Sequence, residues 1–331
     1  MEPLMPDFNL TRRPRRLRST HHIRDMTRET FLRRDDLIMP VFVAHGSNIR
    51  KEIPSMPGIF QYSLDELDRE LDALAEAGVR RIILFGIPQS KDAVGSDTFS
   101  DDGIIQRALR HISQHYPQFY RITDVCFCEY TDHGHCGVLD DEGHLLNDPT
   151  LSNLQRQALS HVEAGAHMLA PSGMLDGMIG AMRSALDEEG HHSIPIMSYA
   201  VKYASAFYGP FRDAVDSSPA FGDRSTYQMD PANRREAMVE ARLDVQQGAD
   251  ILMVKPALSY LDILADLRQE IDLPLACYNV SGEYALVKAA AARGWVDETG
   301  VAHEKLLSMK RAGADLILSY FSRDLAPSLQ A

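Results

Sequence analysis

From about Leu37 onward, short apolar runs alternate along the chain with amphipathic segments of helical period. Apolar runs of this kind are typical of strands, and the segments between them place apolar residues on one helix face. The runs are LIMPVFV (37–43), RIILFGI (81–87), ITDVCFC (122–128), HMLAPSG (167–173), PIMSYAV (195–201), DILMVKPA (250–257), PLACYNVS (274–281) and DLILSYF (315–321). The pattern predicts eight strand–helix units in series.

The junctions from helix to strand resemble one another: EAGVRRIIL, EAGAHMLA, QGADILMV and RAGADLILS. Glycine is expected to end each helix, and a continuously apolar strand follows it, as in a parallel sheet covered by helices on both faces. Eight such units favour closure into a (β/α)8 TIM barrel over an open doubly wound sheet, and no GxGxxG follows the first strand. We therefore expect an α/β barrel over residues 36–331, preceded by an extended N-terminal arm over residues 1–35.

Composition narrows the class of protein. Of 331 residues, 44% are hydrophobic and 24% charged, as in globular proteins, and no apolar run has the length of a membrane span. The start of the chain lacks an apolar stretch that could act as a signal peptide, so we expect a cytoplasmic protein. Four cysteines in this setting indicate reduced thiols, a metal site or catalysis, and Cys277 alone in the seventh run is expected in the core.

Charge is unevenly distributed. The net charge of −13 argues against nucleic-acid binding by the whole molecule, yet the segment RRPRRLRSTHHIR (12–24) is strongly basic. A nucleic-acid arm and a transit peptide are both possible interpretations. Glu2 and Asp7 precede the segment and serine is scarce, which disfavours a transit peptide. We favour an arm whose arginines lie on an acidic surface, such as that of a neighbouring subunit.

Three of the connecting segments are longer than plain connections: 88–102, 129–149 and 203–230. In barrels of this class the chemistry lies at the C-terminal ends of the strands and in the loops that follow them. Long loops in a compact domain are commonly lids or binding loops. The last of the three mixes aromatic residues with Gly, Pro and Ser, and we expect it to be a mobile cover.

Three cysteines lie within eleven residues at the end of the third predicted strand. Cys126 and Cys128 are two apart, so strand geometry would place both thiols on one face, and Cys136 returns after a glycine-containing loop. Three thiolates suggest zinc with one open coordination position, which is the catalytic pattern. If His133 or His135 completed the set, the site would be structural, and free core thiols are the alternative to any metal.

Lys202 and Lys255 each end an apolar run, in YAVKY and LMVKPA. Desolvation there would lower the pKa of a lysine and leave a neutral amine able to attack a carbonyl carbon, and two neighbouring ammonium groups would reinforce the effect. A lysine that reaches out to meet a carboxylate is the alternative. Two such lysines on consecutive strands favour Schiff-base chemistry.

Four further residues are candidates for binding anionic groups. Arg212 and Arg224 in the 203–230 loop suit bidentate pairing with a carboxylate, although loop arginines are often simply solvated. Ser281 and Tyr320 are expected to end the seventh and eighth strands, where their hydroxyl groups could bind a second anionic group.

Long motifs of this chain resemble the porphobilinogen synthase (delta-aminolevulinic acid dehydratase) family, in its zinc–cysteine form. They are DVCFCEYTDHGHCG, MSYAVKYASAFYGPFRDA, GDRSTYQMDPANRREA, LMVKPALSYLDI, CYNVSGEYA and KRAGADLILSYF, in the family's order, and the similarity runs from about Arg13 to the C-terminus. The resemblance implies condensation of two 5-aminolevulinate molecules to porphobilinogen, with loss of water, in tetrapyrrole biosynthesis. It also implies that Lys255 and Lys202 form Schiff bases with the two substrates. One substrate carboxylate would be held by Arg212 and Arg224, the other by Ser281 and Tyr320.

The resemblance further implies that Cys126, Cys128 and Cys136 bind zinc as a Lewis acid and template for the second substrate. Asp124 would lie near the zinc and relay protons. Glu240 matches a position that binds activating magnesium in many bacterial members, although it could equally be an ordinary surface glutamate.

Assembly and one departure complete the comparison. The family is typically a homo-octamer in which the N-terminal arm embraces a neighbouring subunit. Gly173 and Met178 in LAPSGMLDGM stand where many relatives carry polar or charged residues, which leaves the contacts around the fourth strand open.

Two alternative functions remain at this point. A lysine-dependent barrel of the class I aldolase kind would explain Lys255 alone, and a nucleic-acid-binding zinc module would explain the cysteines and the basic arm.

Overall fold

The N-terminal segment and the remainder of the chain form two compact units, one ending at Phe31 and the other beginning at Leu32. The computed structural model describes residues 10–217 and 219–330. Glu2 and Asp7, used above to interpret the arm, lie outside these ranges. In the described part of the first unit a 3₁₀ turn, Pro14–Arg18, precedes helix α1, His21–Met26, which is capped by its neighbouring threonine.

Among its described residues the second unit contains ten strands, and eight of these lie side by side and parallel around a barrel. The strands are β1 (Leu37–Ala44), β2 (Arg50–Glu52), β3 (Phe60–Tyr62), β4 (Arg81–Ile87), β5 (Tyr120–Val125), β6 (Met168–Pro171), β7 (Met197–Lys202), β8 (Ile251–Lys255), β9 (Leu275–Asn279) and β10 (Leu316–Ser319). Their order is β6-β5-β4-β1-β10-β9-β8-β7, and a single bridge between Leu169 and Ile196 brings the two end strands together.

The barrel strands correspond to the eight apolar runs, so the predicted (β/α)8 fold is confirmed. Strand β1 is buried along its whole length, because its neighbours cover its edges and helices and interior side chains cover its faces. The short antiparallel pair β2–β3 was not predicted. Its first strand reads Arg-Lys-Glu and is fully exposed, so it carries no hydrophobic signal.

Helices alternate with the barrel strands and cover the outside of the barrel. They are α2 (Leu64–Ala77), α3 (Ile104–His115), α4 (Asn147–Glu163), α5 (Met178–Glu188), α6 (Gly209–Val215), α7 (Glu236–Gln246), α8 (Leu261–Glu270), α9 (Ser281–Ala292), α10 (Glu298–Ala312) and α11 (Ser322–Leu325). Gly78 ends α2 with a φ of 84°, a conformation that glycine adopts without strain. Within the described ranges, no helix is both long and apolar enough to cross a membrane.

Three local expectations were wrong. Strand β5 ends at Val125, so Cys126 and Cys128 lie in the loop beyond it rather than on a strand face. Strands β9 and β10 end at Asn279 and Ser319, so Ser281 is the first residue of α9 and Tyr320 directly follows its strand. The 203–230 segment is not loop throughout, because it contains α6, which begins with a Gly-Pro pair suited to a first helical turn.

Candidate functional site

Lys202 and Lys255 are the last residues of the adjacent strands β7 and β8, and they are direct partners in the parallel ladder. A bulge sets this register, since Tyr199 and Ala200 on β7 together oppose Met253 on β8. Without the extra residue, Lys202 would stand one position beyond Lys255. The bulge therefore brings the two lysines level at the C-terminal end of the barrel.

The side chain of Lys255 is only 5% exposed and lies among four aromatic rings. Its Nζ lies 4.6 Å from the ring centre of Tyr278, 5.0 Å from that of Tyr199, 5.2 Å from that of Phe211 and 5.3 Å from that of Tyr208. Burial, and then the nearby charge of Lys202, lower the pKa of Lys255 to about 7. A large fraction of this amine is therefore neutral, and nucleophilic, near neutral pH.

Lys202 is buried as well, and its Nζ donates a hydrogen bond to the carbonyl oxygen of Ser172 at 2.6 Å. The Ser172 hydroxyl in turn donates to Asp124 Oδ2 at 3.1 Å. Burial, and then the charge of Glu129, raise the pKa of Asp124 to about 7. Since Asp124 exchanges its proton near neutral pH, it can both donate and accept one beside the two amines.

Cys126, Cys128 and Cys136 converge, as predicted, although by a loop rather than by strand alternation. All three are buried, and their Sγ atoms lie within 4.8 Å of one another. Cys126 Sγ and Cys128 Sγ are 3.4 Å apart. A second cluster, of Asp124, Cys126 and Glu129, overlaps the first. Three soft thiol donors at this spacing fit zinc and leave room for a further ligand, so the donor set matches a catalytic zinc site.

His133 and His135 are engaged elsewhere. The Nδ1 of His135 lies 3.1 Å from the Tyr227 hydroxyl, and its Nε2 lies 3.1 Å from the Phe221 carbonyl oxygen. His133 contacts the carbonyl oxygen of Ala93 through Nε2. Neither histidine belongs to a metal-competent cluster among the described residues, which favours three cysteine ligands over a closed four-ligand set.

The two arginines of the 203–230 segment differ in environment. Arg224 is buried and donates to the carbonyl oxygens of Gly134 and Ser217 at 2.9 and 2.7 Å. Burial acts to lower its pKa, but the thiolates of Cys128 and Cys136 raise it above its usual value. Arg212, on α6, is half-buried, and burial followed by the charge of Arg224 lowers its pKa. Arg224 is thus a fixed cation beside the thiols, not a solvated loop charge.

Ser281 and Tyr320 form hydrogen bonds to residues whose rings surround Lys255. The Ser281 Oγ accepts a hydrogen bond from the backbone N–H of Phe211 at 2.9 Å, which fixes one of the rings around Lys255. The Tyr320 hydroxyl lies 3.0 Å from that of Tyr278, whose ring is the nearest of the four. Both hydroxyls are buried, and their predicted role in binding a substrate anion stays a prediction.

Glu240 lies on α7 and is not among the residues that line the pocket around the two lysines. With Asp176, Asp230 and Glu236 it lines a cavity of about 730 Å³. Burial, and then the charges of Asp244, Asp176 and Glu236, raise the pKa of Glu240 to about 7. Gly173 packs against Leu175, and Met178 is buried at the start of α5, so neither supplies a polar contact to the lysines.

Sequence reasoning missed the aromatic rings of the site and two of its polar residues, Glu129 and Ser172. The pocket around the lysines is lined by Phe85, Asp124, Cys128, Glu129, Ser172, Lys202, Tyr208, Phe211, Arg224 and Lys255. Tyr199, inside the strand run that ends in Lys202, was a signal for one of the rings, because a buried hydroxyl needs a partner. Ser172 carried no such signal. The assembled site combines a largely neutral amine, a second amine, a proton-exchanging carboxyl group and a thiol cluster with the spacing of metal ligands.

The chain is similar to a known family of proteins. The family model described as delta-aminolevulinic acid dehydratase matches residues 11–328. A delta-aminolevulinic acid dehydratase of Halalkalibacterium halodurans is 58% identical over 315 residues, which cover 95% of this chain and 96% of that protein. One of Staphylococcus aureus is 53% identical over 314 residues, or 95% and 97% of the two chains.

A solved structure is also similar to this chain. It is the crystal structure of delta-aminolevulinic acid dehydratase (porphobilinogen synthase) from Toxoplasma gondii ME49 in complex with the reaction product porphobilinogen. The TM-score is 0.94 at 41% identity, over 96% of this chain and 91% of the other. With a family model that matches almost the whole chain and relatives above half identity, this chain belongs to the delta-aminolevulinic acid dehydratase family.

Proposed function

We propose that this chain is a cytoplasmic porphobilinogen synthase, a lyase that condenses two molecules of 5-aminolevulinate to porphobilinogen with loss of water. The observation that carries the proposal is the pairing of Lys202 and Lys255 in one buried pocket beside three convergent thiols. A single-lysine aldolase would use neither the second amine nor the thiols. The relatives named for this activity, and the neighbour solved with porphobilinogen, support the same assignment.

Covalent chemistry is assigned to the lysines. The neutral amine of Lys255 attacks the ketone carbon of one 5-aminolevulinate, and the carbinolamine then loses water to give an imine. Lys202 forms the corresponding imine with the other substrate. Asp124, linked to Lys202 through the hydroxyl and carbonyl groups of Ser172, is assigned the supply and uptake of the protons of these steps. Burial of Lys255 among the aromatic rings favours the neutral amine, because it removes the amine from water.

The thiol cluster would hold zinc through Cys126, Cys128 and Cys136. Bound zinc supplies Lewis acidity and a template that orients the amino or carbonyl group of the second substrate. The cation of Arg224 balances the negative charge of thiolates in a buried place. Arg212 and Arg224 are assigned to one substrate carboxylate, and Ser281 and Tyr320 to the other.

One steady-state series should separate these roles. Lys255→Ala and Lys255→Arg should both reduce kcat at least about a thousandfold in the assay of pyrrole formation, because a guanidinium cannot form the imine at neutral pH. Arg212→Met should chiefly raise KM, by about tenfold or more, since it removes a charged hydrogen-bond donor to the substrate. Lys288→Arg, a change at the partly exposed ion pair with Glu298, is the control and should leave both constants unchanged. Appreciable turnover by Lys255→Arg would contradict the assignment.

Zinc content provides a second test. Cys126→Ala should lose bound zinc and turnover while the barrel stays folded, and a chelator should abolish wild-type activity until zinc and a thiol reductant are added. The matched control is Cys277→Ala, which removes a buried thiol from β9, outside the thiol cluster. It should cost stability alone, about 1 kcal/mol. Elemental analysis together with the pyrrole assay decides, and full activity of metal-free protein would refute the role of zinc.

We further propose an activating magnesium site at Glu240 and assembly into a homo-octamer through the N-terminal arm. Burial, and then the charges of neighbouring carboxylates, raise the pKa of Glu240, and a hard cation would stabilise these carboxylates in their charged form. The described part of the arm exposes apolar side chains beside its arginines, with Leu17 and Phe31 each 53% exposed and Met26 80% exposed. Apolar surface of this kind is typical of an interface with another subunit.

Light scattering tests the role of the arm in assembly, and activity assays test the magnesium site. A chain that lacks residues 1–30 should form a smaller particle with reduced activity, because the arm's contacts are lost. Glu240→Gln should lose activation by magnesium while it retains zinc-dependent turnover, whereas Glu298→Gln, on α10, is the control and should keep both. An unchanged large particle after truncation would rule out the arm's role, and undiminished magnesium activation of Glu240→Gln would rule out that site.

A further inference from the structure

Helix α4 carries three buried polar side chains on one narrow stripe: Thr150, Gln157 and His161, all with no exposed surface. At 3.6 residues per turn, positions i, i+7 and i+11 fall within about 40° of one another around the helix. The buried stripe of a barrel helix is ordinarily apolar, because a buried polar group is costly unless it forms a hydrogen bond. The partners of these side chains therefore indicate what the stripe does.

Each of the three side chains has a partner in the segment that contains the cysteines or in the strand that leads into it. The Nδ1 of His161 lies 3.1 Å from the hydroxyl oxygen of Thr123 on β5. Gln157 Nε2 donates to the carbonyl oxygen of Cys126 at 3.0 Å. Thr150 contacts the far end of the segment, since its Oγ1 accepts a hydrogen bond from the backbone N–H two residues after Cys136, at 3.0 Å. One face of α4 therefore contacts the cysteine segment at three points: before Cys126, at Cys126 and after Cys136.

Packing at the far end leaves no room for adjustment. A Cβ atom at Gly137, next to Cys136, would lie 2.5 Å from Thr150 Oγ1 and 2.6 Å from its Cγ2. Only glycine allows this approach of backbone to helix. At the near end, Gln157 Nε2 also donates to the hydroxyl of Thr98, in the loop that follows β4. Both ends of the cysteine loop are therefore fixed to a regular element.

We propose that this stripe of α4 sets the separation of Cys126 from Cys136, and that Gln157 is a positioning residue for zinc. The inference rests on the zinc site of the proposed function. The two thiols are ten positions apart in a chain segment without regular structure, and ordering such a loop costs conformational entropy. Because α4 holds both ends of the loop, the loop is ordered when the chain folds. Zinc therefore binds thiols that are already close together.

The test compares two glutamines of the same helix. Gln157→Met keeps the length of the side chain but removes the donor to Cys126, and zinc affinity, measured by competition with a chelator, should fall at least about tenfold. Gln155→Met is the matched control, because Gln155 Nε2 donates at 3.0 Å to the carbonyl oxygen of Ala181 on α5. Its zinc affinity should stay within about twofold of wild type. Wild-type affinity in Gln157→Met, or an equal loss in both variants, would overturn the inference.

If Gln157→Met does not fold, a second pair of variants, at Thr150, provides the test. Thr150→Val removes the hydroxyl that holds the end of the loop, while Thr150→Ser retains it. Zinc affinity should fall several-fold in the first and be preserved in the second, and equal affinities would refute the inference. Absence of zinc from the wild-type chain would overturn the proposed metal site and this inference together. Tight wild-type binding with unaffected variants would overturn this inference alone.

Discussion

The desolvation of one amine is the constraint on which the site depends. Lys255 is held among aromatic rings and level with a second lysine, and burial lowers its pKa to about 7. The bulge in β7 provides the alignment, and the hydrogen bond from the backbone of Phe211 to Ser281 fixes one of the rings. If water reached this amine, it would be protonated at neutral pH and unable to attack a carbonyl carbon.

The groups next to Lys255 are also buried, so their charges must be balanced inside the pocket and not by solvent. Asp124 lies beside the amines with its pKa raised to about 7, so the pocket can exchange a proton without carrying a fixed negative charge. The thiols face Arg224, a buried cation whose donors are satisfied in part by backbone carbonyl oxygens. Lys202, Asp124 and Arg224 are each held by hydrogen bonds to protein groups rather than by solvent.

Much of this was predictable from sequence, because hydrophobic periodicity and special residues at strand ends are local signals. The eight barrel strands, the lysine pair and the three cysteines were found in that way. The bulge was not, since Tyr199 and Ala200 read as ordinary strand residues and only the partner strand shows that one is extra. The Ser281 position failed because strand β9 ends earlier than its apolar run. The polar stripe of α4 was also invisible, because its meaning lies in long-range hydrogen bonds.

The pH dependence of imine trapping at Lys255 tests the central claim most directly. The chain would be incubated with 5-aminolevulinate and cyanoborohydride from about pH 5 to about pH 9, and the adduct located by peptide mass mapping. A lowered pKa means that the amine becomes neutral as the pH rises through about 7, so trapping at Lys255 should reach half its maximum there. Trapping that increases only toward about pH 10, the range of an ordinary lysine, or an adduct at a lysine other than Lys255 and Lys202, would contradict the account.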